Sequence, residues 1–163
     1  MDKKAQQYWD DFWGEKEQLR LVDAWQFGVD PDGLAQMVID GEKTTTSSAH
    51  ARYIAKNWPL PVVGSYSVIL NSQDEPVAII KVIDVKIMPM NEVSAEHMRD
   101  EGDCGLDGED WWPIHEKFFT ELLAEIGMVF SEDILVICER FELVHAKGRH
   151  IDHGKAKAGG LRH

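Results

Sequence analysis

Five hydroxyl side chains in a row, Thr44-Thr45-Thr46-Ser47-Ser48, follow directly on Gly41-Glu42-Lys43. A threonine or serine hydroxyl becomes a useful nucleophile when a neighbouring base removes its proton. A lysine whose pKa is lowered by burial is such a base. The segment therefore fits nucleophilic catalysis. It fits equally a β-strand whose threonines line a pleated surface, which β-branched residues favour without any chemistry.

Other residues of reactive type are scattered more widely. His97 and His115 lie on either side of an acidic loop, but surface helices carry histidine freely and no partner spacing singles them out. They have the chemistry of acid/base groups but are read first as residues of surface helices. The loop acids Asp103, Asp107, Glu109 and Asp110 lack the alternating register of a calcium-binding loop and read as solvated. Trp111, Trp112, Phe118 and Phe119 have the surfaces to stack a base, though their helical spacing suits a core face better. Cys104 falls in a glycine-rich loop and is expected to be exposed, whereas Cys138 sits in an apolar run and is expected to be inert packing. Tyr66 opens the first arm of a hairpin. Neither a metal nor a cofactor is implied.

The elements around these residues can be read from periodicity. Tyr8, Trp9, Phe12 and Trp13 recur at helical spacing over residues 4–13 and form one aromatic face. Asp30 or Asp32 can cap a second helix with Leu34, Met37, Val38 and Ile39 as its buried stripe, and Gly41 can stop it. That helix delivers the chain into the hydroxyl run. Residues 49–56 make a further short helix. SYSVIL and PVAIIKVIDVKIM, separated by NSQDE, read as a hairpin, and the second arm is apolar enough on both faces to lie centrally in a sheet. Residues 94–101 form a short helix capped by Ser94, GDCGLDG a flexible loop, and DWWPIHEKFFTELLAEIG a longer helix. DILVICERFELV closes the order as a buried strand. The result is an α+β domain with a mixed or antiparallel, barrel-like sheet flanked by helices.

Composition narrows the possible partners. The 163 residues suit one domain, and the charge of 17 basic against 29 acidic side chains, net −12, repels nucleic acid at long range. The imbalance is uneven: residues 1–144 carry 12 basic and 28 acidic groups, whereas residues 145–163 carry 5 basic and 1 acidic. That basic, glycine-rich end is expected to be a mobile appendage able to grip phosphate. No apolar run reaches the ~18 residues of a membrane span, no secretory leader is recognisable, and the two cysteines form no framework. A cytoplasmic location is expected.

The ordered run of segments adds a resemblance. A helix ending in G-x-K-T, then PLPVVGSYSVIL, PVAIIKVIDVKIMPMNEVS, the EGD loop, WW-P-I-H-E-K-FF and LVICERFELV together resemble the ASCH domain family, and more closely its larger bacterial subfamily. The likeness implies a PUA-like small β-barrel over residues 24–145, a helical extension at 1–23 and a tail at 146–163. In the family signature G-x-K-x-x-x-x-R, Gly41 and Lys43 match while Ser48 stands at the arginine position. Arg52, one helical turn onward, is the nearest substitute cation.

Small bacterial amidohydrolases of this family remove the acetyl group from N4-acetylcytidine. Their lysine, threonine and glutamate pattern falls here on Lys43, Thr46 and Glu101. The resemblance implies Lys43 as proton acceptor, Thr46 as nucleophile and Glu101 as proton donor, with Gly41, Thr44, Ser48, Arg52 and Tyr66 completing the expected substrate contacts. Other members are linked to RNA binding or RNA cleavage. The implied partner is accordingly a modified nucleoside or RNA, with a non-catalytic RNA-binding module or a ribonuclease as the alternative to an amidohydrolase.

Overall fold

The computed structural model describes residues 2–13 and 22–147. Of the expected basic tail, residues 148–163 lie outside the described part.

Helix α1 spans Lys3–Trp13, strand β1 Val22–Gln26, helix α2 Pro31–Ile39 and strand β2 Thr45–Ala49. Helix α3 covers His50–Lys56, followed by the hairpin β3 Tyr66–Leu70 and β4 Pro76–Pro89. A 3₁₀ turn at Met90–Glu92 leads to helix α4 Ala95–Asp100, helix α5 Trp111–Glu125 and strand β5 Leu135–Ala146. The five strands form one mixed sheet in the order β1-β3-β4-β5-β2, parallel only between β1 and β3. Register shifts between Ile79 and Ile80 and between Val82 and Asp84 bend the β4–β5 pair, as an extra residue in one strand of a ladder does. The sheet curls into a half-barrel.

Helices on its faces bury separate apolar clusters. Phe27, Leu34 and Val38 pack on Ile69, Ile80 and Phe141. Trp9 of α1 packs on Tyr66, Val68 and Ile79, so the aromatic stripe of the first helix does lie across the core. Trp111 and Phe119 of α5 pack on Val136 and Cys138 of β5.

The helices start where the sequence places their caps. The Asp30 side chain accepts the Gly33 N–H at 3.0 Å, with Pro31 in the first turn. Asp32 has a different task, taking the N–H and hydroxyl of Ser72, each at 2.8 Å, and so tying α2 to the hairpin turn. Ser94 caps α4 by accepting the His97 N–H at 3.1 Å.

Three expectations need correction. β1 is a strand that VDAWQ does not announce; like β2, which bears out the strand reading of the hydroxyl run, it sits at a sheet edge and is held by its one neighbour. Cys104 is fully buried in the α5 cluster, because the loop after α4 turns inward on left-handed glycines. His97 and His115 are buried as well. No helix among the described residues is long and apolar enough to cross a membrane.

Candidate functional site around Lys43 and Glu101

The end of α2 sets the position of Lys43. Gly41 takes a left-handed φ of 81°, and the Glu42 and Lys43 N–H groups both turn back to the Met37 carbonyl, at 2.8 and 3.1 Å. The chain then leaves as β2, and the Thr44 N–H donates to the Asp100 carbonyl at 2.9 Å, joining β2 to the end of α4. Glu101 is the residue that ends α4, one turn beyond His97. Gly102 permits this junction. With φ at 92°, a Cβ there would stand 2.6 Å from the Glu42 carbonyl oxygen.

Lys43 and Glu101 meet in the interior, 2% and 3% exposed. Lys43 Nζ donates to Thr45 O at 2.7 Å and lies 3.3 Å from Glu101 Oε1. Glu101 Oε2 accepts from Ser47 Oγ at 2.5 Å and from Trp111 Nε1 at 2.8 Å. His115 Nε2 is 3.4 Å from Oε1, and His97 Nε2 is 3.5 Å from Oε2 and 2.8 Å from Ser47 Oγ. A carbonyl only accepts, so the 2.8 Å contact between His115 Nδ1 and Trp111 O is a ring N–H donating. The His115 ring stacks on Trp111 with centroids 4.4 Å apart, and Lys43 Nζ stands 5.2 Å from the centroid of the Phe27 ring.

Burial by itself would raise the pKa of Glu101. The charges of Lys43 and His115 and the hydrogen bonds around it prevail, holding its carboxyl well below the usual range. For His115, burial disfavours the cation, but the Glu101 carboxylate outweighs it and raises the ring above its ordinary value. The resting centre is therefore an ion pair of Lys43 with Glu101, with both histidines directed at the same carboxylate.

Alternation along β2 divides the hydroxyls. Thr45 donates to the His97 carbonyl at 2.9 Å and Ser47 to Glu101, so these two face α4. Thr46 and Ser48 point to the other face of β2. There Thr46 stands opposite Glu139 of β5, and the Ser48 hydroxyl is hydrogen-bonded to Tyr53 of α3. Burial drives the Glu139 carboxyl up to about 7 although Lys43 pulls it down. Thr44 Oγ1 accepts from Arg140 Nη1 at 3.3 Å, and Arg140 also pairs with Asp100 at 2.7 Å.

Of the residues singled out in the sequence, Lys43 and Glu101 come into contact, Gly41 shapes the turn that brings them together, Thr44 follows Lys43 directly, and Thr46 and Ser48 lie on the other face of β2. Arg52 lies on α3 with its guanidinium 5.1 Å from the centroid of the Trp58 ring. Tyr66 packs beneath α1 against Trp9 and Trp13. His97, Trp111, His115, Glu139 and Arg140 were not expected in the site, and Ser47 only as one hydroxyl of the run. One signal for them was available: His97–Glu101 and Trp111–His115 are both spaced by four residues, so each pair shares a helix face.

A curled, mixed five-stranded sheet with helices on both faces and a lysine delivered from the α2–β2 turn defines a PUA-like domain. Residues 23–145 match the ASCH domain family, and the chain belongs to it. Among solved structures it is similar to an ASCH domain from Lactobacillus crispatus, at 26% identity and a TM-score of 0.79, over 88% of this chain and 95% of that one. It is also similar to protein EF3133 from Enterococcus faecalis V583, at 33% identity and a TM-score of 0.78, over 94% of this chain and all of that one. No curated protein sequence matches it.

Proposed function

We propose that this ASCH domain hydrolyses the acyl amide of a modified nucleoside of the N4-acetylcytidine type. Thr46 is the nucleophile, Lys43 the proton acceptor and Glu101 the proton donor. The observation that carries this reading is the buried Lys43–Glu101 pair beside the hydroxyl strand. Burying two charges costs several kcal/mol per ion, so such a pair is a weak stabiliser and makes better sense as working chemistry. Moving one proton across its 3.3 Å gap turns the ion pair into a neutral amine and a protonated carboxyl, the forms those two roles require. Thr46 then attacks the acetyl carbon, its proton passes to Lys43, and Glu101 protonates the departing cytosine amine. Arg140, beside Thr44, supplies a cation near β2 where residue 48 is a serine.

An acidic body suits a neutral nucleoside better than a polyanion. A second reading, RNA recognition, draws on the family's general association with RNA binding and on Arg52 over the exposed Trp58, a pair on which an unpaired base can stack. Incubation of the purified chain with N4-acetylcytidine, with cytidine followed chromatographically, separates the two. Release that is lost in folded Lys43→Ala and Glu101→Ala supports the hydrolase. Absence of release, together with RNA affinity that falls steeply with added salt, would replace it with the RNA reading.

A further inference from the structure

Glu139 is a buried acid outside the Lys43–Glu101 pair. Its side chain is 4% exposed, and among the described residues it has no hydrogen-bond donor. Its cross-strand neighbour Thr46, 9% exposed, likewise has no side-chain hydrogen bond there. The Phe141 N–H donates to the Thr44 carbonyl at 3.0 Å, fixing the ladder two residues away on each strand. Directly opposed side chains on an antiparallel pair have Cβ atoms about 5 Å apart. A water between the Glu139 carboxyl and the Thr46 hydroxyl fits that spacing.

Glu101 is ill placed for this task. Ser47 and Trp111 occupy one of its oxygens, and Lys43 and His115 face the other. Among the described residues, none donates to Glu139.

Resting on the amidohydrolase reading, we infer that Glu139 is the general base of a second half-reaction, the hydrolysis of an acetyl-Thr46 ester. In this step cytidine has already left, and the acetyl carbon is bonded to Thr46 Oγ1. The Glu139 carboxylate takes a proton from water as the water oxygen bonds to the acetyl carbon. The tetrahedral species collapses, the bond to Oγ1 breaks, and Oγ1 recovers the proton from Glu139. Acetic acid departs, leaving both side chains as they began. Lys43 and Glu101 then serve formation of the ester, and Glu139 serves its removal.

A carboxyl that titrates near neutrality is well matched to such a base at ordinary working pH. The ionisable groups around it are Lys43 before β2 and Tyr53 on α3, with Cys138 adjacent on β5. Lys43 favours the carboxylate; Tyr53 and Cys138 are both pushed to higher pKa, in part by acids that include Glu139, and are neutral when it ionises.

The test is rapid-quench measurement of cytidine release from N4-acetylcytidine by the full chain and by Glu139→Gln, with intact-protein mass spectrometry of the quenched samples. The native chain turns over without a lasting adduct. Glu139→Gln releases one equivalent of cytidine in a burst, carries an acetyl group on Thr46, and then turns over ~10²–10⁴-fold more slowly. Steady turnover by Glu139→Gln near the native rate overturns the inference, and so does loss of the burst itself in the folded variant. If Glu139→Gln does not fold, Glu139→Asp gives the same readout, its carboxyl drawn back by one methylene. A native chain that releases no cytidine removes the amidohydrolase reading and this step with it. Native turnover combined with an unaffected variant removes this step alone.

Discussion

Replacing Glu101 by glutamine keeps the shape of the side chain and removes its charge. The amide NH₂ must then face either Lys43 or Trp111, and both of these can only donate, so either orientation sets one donor against another. Lys43 keeps only carbonyl partners, Thr45 O at 2.7 Å and Glu101 O at 3.4 Å, for a charge that is 2% exposed. Breaking a buried pair in this way costs about 3–5 kcal/mol. At roughly 2–4 °C per kcal/mol for a chain of this length, the melting temperature falls by about 10 °C. Urea unfolding of Glu101→Gln, Lys43→Met and the double variant closes the thermodynamic cycle. Two side chains in one network couple by ~0.5–3 kcal/mol, and a buried pair belongs at the upper end, so the double variant is less damaged than the two single losses combined. Additivity within about 0.5 kcal/mol would show that the pair carries no mutual energy.

Glu139 makes stability depend on pH. Its folded pKa of about 7 lies above the ordinary 4.5, so the native state holds the proton more tightly and stability falls as pH rises from 4.5 through 7. At pH 8 the full shift is worth about 3 kcal/mol. Glu139→Gln is therefore expected to gain roughly that much at pH 8 and little at pH 4.5, which urea unfolding at the two pH values measures; an equal gain at both would contradict it. Gly102→Ala places a methyl against the Glu42 carbonyl at a left-handed φ, and is expected to cost about 1–3 kcal/mol and to displace Glu101, seen as joint loss of melting temperature and of cytidine release. Asp30→Ala removes the cap of α2 and should cost about 1 kcal/mol in chemical unfolding without altering the centre.

The parts of the fold legible in the sequence are those in which local chemistry and burial agree. The aromatic stripe of α1, the Asp30 and Ser94 caps and the apolar β4 each carry their signal within a few residues. Strand β1 does not, and β2 carries only the β-preference of its threonines. VDAWQ has little apolar alternation, and TTSSA is apolar nowhere except at its last residue, so both become strands by pairing at a sheet edge. The site divides in the same way. The turn that delivers Lys43 is written in the Gly41 stop, and Ser94 announces the helix that Glu101 ends. What the carboxylate meets there is set by tertiary packing: Trp111 and His115 arrive from a helix that begins ten residues later, and Glu139 from the last strand. The histidines look like surface residues because their helices are amphipathic, and only the sheet behind them shows which side is covered.

Lys43 and Glu101 are 58 residues apart in the chain, and the whole β3–β4 hairpin lies between them. Contacts of that separation form only after the intervening loop entropy has been met by other pairings. During synthesis the lysine emerges well before its counter-ion, and Trp111 and His115 emerge later still. A nascent or partly unfolded chain therefore has the hydroxyl run but no assembled charge centre. Assembly of this centre is tied to completion of the domain, and a copy that fails to fold never brings the two charges together.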